Sequence, residues 1–490
     1  MSDNKNENKF IYGVLETIEI QHTSDIGVVG RLKGTINVND QIYLTNFGDD
    51  DDELVVSTVV AIKVDKEMVK TASDGFAILV VRDGASENIK PGTVIHSGNV
   101  EEDEIHFAYS NAIGEYYVGK KDLELYESEM SKMSITDCSE AWKIFIKVHE
   151  KKEGSFTKEE VEEFRRKIGI LSRNLAKKIL AADEIYCVFN KRTGEPHMFS
   201  KTSKINEDYV CSPPEVHVFS KPFKEIGEKH FPKDLFEIRK IENGENNDGI
   251  KNFLYDVFYL NGAMGMRMNF EVAAMGADTI IPKPNYFGLK EHEIPVTNPN
   301  LVRWMLLRSQ IANPQTDAEK MIAKIYYRFF ALELLKAKFV VPAKPVEDSE
   351  NPAPIPEEIA KQADGAEIKQ LRFPIMVGKN RRNLVFLFTD MKRLRGMYDE
   401  EWSAFSQDIE KFIKTFDVGI NISNHYSLGC YVNKETIDDI KKTFLGMKPE
   451  DGPDSTGLDP EEVEKEFLEN EESDENNDNN GNGNESENNE

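Results

Sequence analysis

Six short β-branched segments open this chain: Phe10–Ile20, Gly27–Leu32, Gln41–Thr45, Leu54–Lys63, Ala77–Val81 and Thr93–His96. Gly, Asp, Asn or Pro separates each from the next, and those residues make turns rather than strand interiors. Short strands at this spacing specify a small all-β sandwich or barrel. Gly30 and Gly34 fall where bends would need positive φ or a close backbone approach. Asn39-Asp40 supplies a left-handed turn residue, and Pro91-Gly92 turns the chain into the last strand. The acids from Asp49 to Glu53 lack the Asp-x-Asp-x-Asp-Gly order of a calcium loop and read as a solvated hairpin tip.

At 490 residues the chain has room for about three domains. No apolar run approaches the ~18 residues of a membrane-spanning helix. The start, Met1 to Asn8, is polar, unlike a secretory signal, and is expected to be disordered. Cys138, Cys187, Cys211 and Cys430 are far apart, with no Cys-x-x-Cys pair, so neither a disulfide framework nor a zinc knuckle is indicated and a cytoplasmic setting is expected. The net charge is -27, and the segment after Lys448 carries seventeen acids and one lysine, Lys465. That composition marks a solvating, disordered tail. The acidic remainder argues against nonspecific nucleic-acid binding, which needs a basic face.

Gly27 to Ile36 with Asn39-Asp40, then Asp74 to Arg82 and Ile89 to Ile95, together resemble the second domain of elongation factor Tu, the translation-protein β-barrel. That family resemblance implies a barrel that packs beside a GTPase domain and touches RNA ends. A GTPase needs the phosphate loop Gly-x-x-x-x-Gly-Lys-Ser/Thr, and this chain has none. Asn190-Lys191-Arg192-Thr193 lacks the Asp of a guanine-reading motif and reads as a hairpin loop beside Gly194.

Further on, helical periodicity runs from Asp317 through Met321, Ile325, Phe329 and Leu334. The strand Phe339–Pro342, a Pro-rich insert over 345–356, and the strand Leu384–Phe388 follow. Thr389 or Asp390 is placed to cap a short helix. Phe416–Ile422, Leu428–Val432 and a helix from Lys434 complete the order. With Asn298-Pro299, Pro342, Phe388-Thr389-Asp390 and Gly419-Ile420-Asn421, this progression resembles the enhanced-serine-sensitivity (SseB) family. A divergent second copy is expected upstream. There Thr157 and Glu160 form a capping box before an apolar face of Val161, Phe164, Ile168, Leu171, Leu175 and Ile179. Ile185–Phe189 would match Phe339–Pro342, Val216–Ser220 would match Val385–Thr389, Phe223–Ile226 would match Met391–Leu394, and Asp256-Val257 would match Asp417-Val418.

The expected organisation is multidomain: residues 1–8 disordered, 9–99 an all-β barrel, 100–156 a helical connector, 157–293 and 294–447 two α/β (α+β) SseB-like modules, and 448–490 an acidic tail. The helix carrying Trp142, Phe145 and Val148 reads as core packing. His217 and His230 read as packing or surface residues rather than a metal site, and Cys211-Ser212-Pro213-Pro214 as a turn. Gly262-Ala263-Met264-Gly265-Met266 reads as a hairpin turn that could otherwise line a peptide groove. Lys379, Arg381 and Arg382 form a basic cluster, the candidate patch for an anion or an acidic partner.

No nucleophile, base and orienter assemble at recognisable spacing. The expectation is a non-catalytic adaptor that binds protein partners, with no cofactor, metal, DNA or membrane partner. The alternatives are a translation-associated factor, whose barrel would contact ribosome, tRNA or a translational GTPase, and an enzyme with an unrecognised site.

Overall fold

The structure is a computed structural model that describes residues 9–47, 55–82, 89–119, 122–151, 156–205, 208–270, 274–290, 293–311, 313–345, 371–377, 383–414, 416–421 and 429–446. The chain divides into two compact units, 1–310 and 311–490. Lys379, Arg381 and Arg382, the acid run 49–53, the segment 1–8 and the tail after 448 lie outside the described residues.

The first unit opens on strands β1 (Phe10–Glu19), β2 (Ile26–Asn37), β3 (Gln41–Thr45), β4 (Val55–Val64), β5 (Glu67–Val69), β6 (Thr71–Val81) and β7 (Val94–His96). Antiparallel pairing runs β3-β7-β1-β2-β6-β4, and β4 pairs back onto β3, which closes a six-stranded barrel with β5 appended to β4. Alternation does the filling: Tyr12, Val14, Val28, Ile36, Ile42, Ile62, Leu79 and Ile95 are buried inside. Each such side chain contributes roughly 1.5–3 kcal/mol by leaving water. The Tyr12 hydroxyl lies 2.9 Å from Val28 O and 2.8 Å from Ala77 O, so the buried phenol is satisfied by strand carbonyls. Register slips between Val14 and Glu16, a bulge that bends β1 as the ring closes. Gly34 takes φ +90°, Asn39 takes φ +70°, and Asp40 Oδ2 accepts the Asn37 N–H at 2.7 Å, so the turn forms as its residues dictate.

Helices α1 (Glu102–Ile113), α2 (Leu123–Lys132), α3 (Ile135–Lys151) and α4 (Lys158–Ala181) follow. In α3, Trp142 and Phe145 are buried, but Val148 is exposed and packs in no core. The Thr157 hydroxyl accepts the Glu160 N–H while Glu160 Oε2 accepts the Thr157 N–H, completing the capping box that starts α4.

The first mixed sheet contains β8 (Glu184–Asn190), β9 (Met198–Phe199), β12 (Glu215–Phe219), β13 (Phe236–Glu242), β14 (Gly265–Met268) and β15 (Met275–Gly276); β10 (Thr202–Ile205) and β11 (Asp208–Cys211) form a separate ribbon. Its order is β13-β8-β12-β14-β15, with β9 on β12; β12–β14 is parallel and the other pairs are antiparallel. Helices α5 (Lys224–His230), α6 (Gly249–Tyr255), α7 (Ala277–Ile280) and α8 (Pro299–Gln310) complete this unit. Asn298-Pro299 therefore opens a helix of the first unit.

The second unit begins with α9 (Asp317–Lys336), which also has a capping box, Thr316 with Glu319. It continues with β16 (Lys338–Pro345), β17 (Leu371–Arg372), β18 (Ile375–Val377), β19 (Asn383–Phe388), α10 (Met391–Arg395), β20 (Ser403–Asp408), α11 (Ile409–Ile413), β21 (Asp417–Asn421), β22 (Gly429–Val432) and α12 (Lys434–Leu445). Here β20 pairs with β16, β16 with β19, β19 with β21 and β21 with β22; β18 lies on β19, and β19–β21 is parallel. Apart from β17, which pairs with the end of β16, this repeats the order and directions of the first sheet.

That correspondence corrects two sequence expectations. The counterpart of Asp417–Asn421 is β14 and the Asn269 that follows it, not Asp256-Val257, which sits in a π-helical turn. Gly262-Ala263-Met264-Gly265-Met266 is not a hairpin turn: Gly262 turns at φ +84°, and Gly265–Met268 is a buried parallel strand. Four residues are too few to show a period, and Gly265 reads as a turn residue, which concealed β14.

Candidate interaction site

Helix α1 lies against β1 at a seam of small residues. A Cβ on Gly13 would stand 3.2 Å from Ala108 O and 3.3 Å from Ala112 Cβ, so glycine opposite two alanines sets the approach. Acids Glu102, Asp103 and Glu104 occupy the first turn, where the helix dipole favours them. Beside the seam runs an open groove of about 340 Å³. Its floor is Ile11, Leu15, Leu32 and Ala112; its rim carries Arg31 and Lys33 from the barrel and Asp103, Glu104 and Glu115 from the helical side. Arg31 makes a bidentate pair with Glu115, with Nε–Oε2 at 2.6 Å and Nη2–Oε1 at 3.0 Å, and stacks 4.1 Å over the Phe76 ring. Glu115 raises the affinity of that guanidinium for its proton, chiefly by accepting its hydrogen bond. Phe107, on the groove wall, is 65% exposed, and Phe76 is 52% exposed. An apolar floor with an exposed aromatic ring at its wall and a rim of both charges can seat an apolar side chain and orient its polar flanks.

One face of the first sheet carries a second cluster. His217 lies 4.1 Å from Phe199, and His197 lies 4.4 Å from Phe199 and 4.8 Å from Phe236. His230 joins through Phe231 and Phe270, at 5.1 and 4.8 Å. His217 and His230 are thus brought together by phenyl rings. No group of three or more His, Cys, Asp or Glu able to hold a metal ion occurs among the described residues. Burial pushes His217 down to about 3, helped by Arg267, and burial pushes His197 down to about 4. Both imidazoles are therefore neutral when folded at pH 7.

A depressed histidine leaves the unfolded chain binding more protons between the two pKa values, so stability falls as pH drops below the unfolded value near 6.5. At pH 5 each of the two is expected to cost about 2 kcal/mol relative to pH 7.5. Urea midpoints between pH 7.5 and 5 check this, and His217→Phe should flatten the slope. An unchanged slope in that variant removes His217 from the account.

At the carboxyl ends of the parallel strands, where open α/β sheets usually place ligands, each sheet carries a hydroxyl residue and an asparagine. In the first, Asn269 Oδ1 accepts the Ser220 N–H at 2.9 Å, Asn269 Nδ2 donates to Ser220 Oγ at 2.9 Å, and Thr136 Oγ1 lies 3.3 Å from that hydroxyl. In the second, Thr389 Oγ1 donates to Asp390 Oδ2, Arg393 Nη1 donates to Thr389 Oγ1 at 3.3 Å, and Asn421 Nδ2 contacts Met397 Sδ. These buried groups hold one another. Asn269 and Phe270 both take left-handed φ, 47° and 61°, as the chain leaves β14. Left-handed non-glycine residues cost about 1–2 kcal/mol each, so surrounding contacts impose this turn.

Among the residues singled out from sequence, Cys211 ends β11, and Asn190–Thr193 forms a hairpin turn in which Asn190 Oδ1 accepts the N–H groups of Arg192 and Thr193. Sequence reading missed the groove. Its signal was present: Phe107 falls off the buried stripe Ile105, Tyr109, Ala112 and Ile113 of α1.

The chain matches no family model and no curated protein. Among solved structures it is similar to translation elongation factor SelB from Methanococcus maripaludis, in the apo form and in complex with the GTP analogue GppNHp. Each match has 19% sequence identity and a TM-score of 0.17, and covers 19% of this chain and 20% of SelB, so the similarity spans about a fifth of that factor's length. No helix among the described residues is long and apolar enough to cross a membrane.

Proposed function

We propose that this chain is a non-catalytic binding or adaptor protein that docks a segment of a protein partner in the groove between barrel and α1. The observation that carries the reading is the pairing of an apolar floor with the exposed Phe107 at its side. The barrel is of the translation-protein type, used as a docking module without a GTPase of its own. The two mixed sheets are a duplicated SseB-like module; their shared strand order and their paired capping boxes, Thr157/Glu160 and Thr316/Glu319, support duplication. The rim of the groove carries both charge signs, which favours a peptide over an RNA backbone.

Affinity purification from cell extract, comparing wild type with Phe107→Asp, tests this. The substitution is expected to reduce recovery of the principal protein partner at least about tenfold, since losing a buried aromatic anchor costs about 1.4 kcal/mol or more. Ribosomal RNA or guanine nucleotide recovered in stoichiometric amount, and insensitive to Phe107→Asp, would favour the translation-factor reading instead.

A further inference from the structure

Beyond α7 the first unit presents one aromatic ring on a held turn. Leu289 N–H donates to Tyr286 O at 3.2 Å, and Gly288 takes φ +87°. This is the glycine position of a type II turn, so Phe287 falls at the tip. The backbone there is anchored on both sides: Asn285 Oδ1 accepts the Phe287 N–H at 3.0 Å, and Glu293 Oε2 accepts the Lys290 N–H at 2.8 Å. The Tyr286 side chain is hydrogen-bonded with Tyr255, on α6. The Phe287 ring, by contrast, is 95% exposed. A single exposed apolar residue is ordinary. The main chain of the turn is held by hydrogen bonds, so insertion would order the ring but little backbone.

We propose that Phe287 of one copy seats in the barrel–α1 groove of a second copy. The proposal rests on the reading of that groove as a docking site and names its occupant. Shape and charge both fit. The groove's open volume of about 340 Å³ over Ile11, Leu15 and Leu32 accommodates a phenyl ring beside Phe107. Lys283 and Lys290 flank the turn and are exposed, and they would face Asp103 on the rim, where Glu104 already pairs with Lys9. Ring and groove are made of different residues of the same unit, so the contact is heterologous, one copy's turn against the next copy's groove. One anchored ring makes a small interface, and dissociation constants around 0.1–1 mM are expected.

Sedimentation of the full chain over a concentration series, at about 0.15 M salt to screen the net charge of -27, tests the contact. The weight-average mass is expected to rise with concentration for wild type and to stay at one copy for Phe287→Ala and for Asn111→Arg, an exposed groove-wall change. Mixing these two variants should restore a two-copy species, because each retains the half the other lacks. A benzophenone amino acid at position 287 should crosslink labelled to unlabelled chains within residues 102–115. A flat mass for wild type, association that survives Phe287→Ala, or a crosslink to another surface overturns the proposal. Loss of a protein partner in Phe107→Asp without any self-association would leave the docking reading standing and remove the second copy as occupant.

Discussion

Gly30→Ala is expected to destabilise the barrel by more than about 3 kcal/mol, in the range of severe overpacking. An added Cβ would lie 2.1 Å from Gly13 O and 2.8 Å from the Tyr12 ring, and neither can retreat. Gly13 sits against α1, and Tyr12 is locked in the barrel interior by its hydroxyl contacts. Gly30 has no positive φ, so the whole effect is steric. Gly75 supplies the contrast: it takes φ +128°, and a methyl added there would meet nothing within 4 Å, so Gly75→Ala should cost only the backbone strain, about 1–3 kcal/mol. Hydrogen exchange of peptides from 10–45 and 55–82 reads both. Equal protection losses in the two variants would mean that close packing at Gly30 does not govern closure of the barrel.

Asp390→Ala should destabilise the second unit by about 3–5 kcal/mol, because it strips a buried guanidinium of its counter-charge. Arg393 and Asp390 are 7% and 2% exposed and form a direct ion pair. Asp390 Oδ1 also accepts the Arg393 N–H at 3.0 Å and so caps α10. Loss of that cap adds about 1 kcal/mol. Replacing both partners, Asp390→Leu with Arg393→Met, should cost less than the single change, since no charge is then stranded. Exchange protection of peptides over 383–414 and 429–446 gives the comparison. A double variant as damaged as the single one would show that the pair is not the unit that matters.

The barrel was legible because its strands have one wet and one dry side. Period-two patterning and turn residues then mark boundaries, and observed strands begin or end within a few residues of those read for Gln41–Thr45 and Val94–His96. The second sheet was legible for a different reason: Asp390 at a helix start and the runs Leu384–Phe388 and Gly419–Asn421 fall in a distinctive order. β14 was not legible, since Gly265 and Arg267 interrupt its apolar character and its burial depends on neighbours contributed by β12 and β15. Nor was the groove, because Gly13, Ala108 and Ala112 come together only in space. Charge clusters in sequence, such as Lys379 to Arg382, say nothing of what they face.

Closure of the barrel also decides how any partner can be held. Every long strand in the ring has neighbours on both sides, and β5, three residues, is the free edge among its described strands. Among the described residues the strand edges left for a guest peptide are short, β5 and the ends of β1 and β6 that pair on one side only, so main-chain strand addition is confined to them. A partner docked in the proposed groove would then be read mainly through its side chains, so a single substitution in a guest sequence should be able to switch its admission on or off.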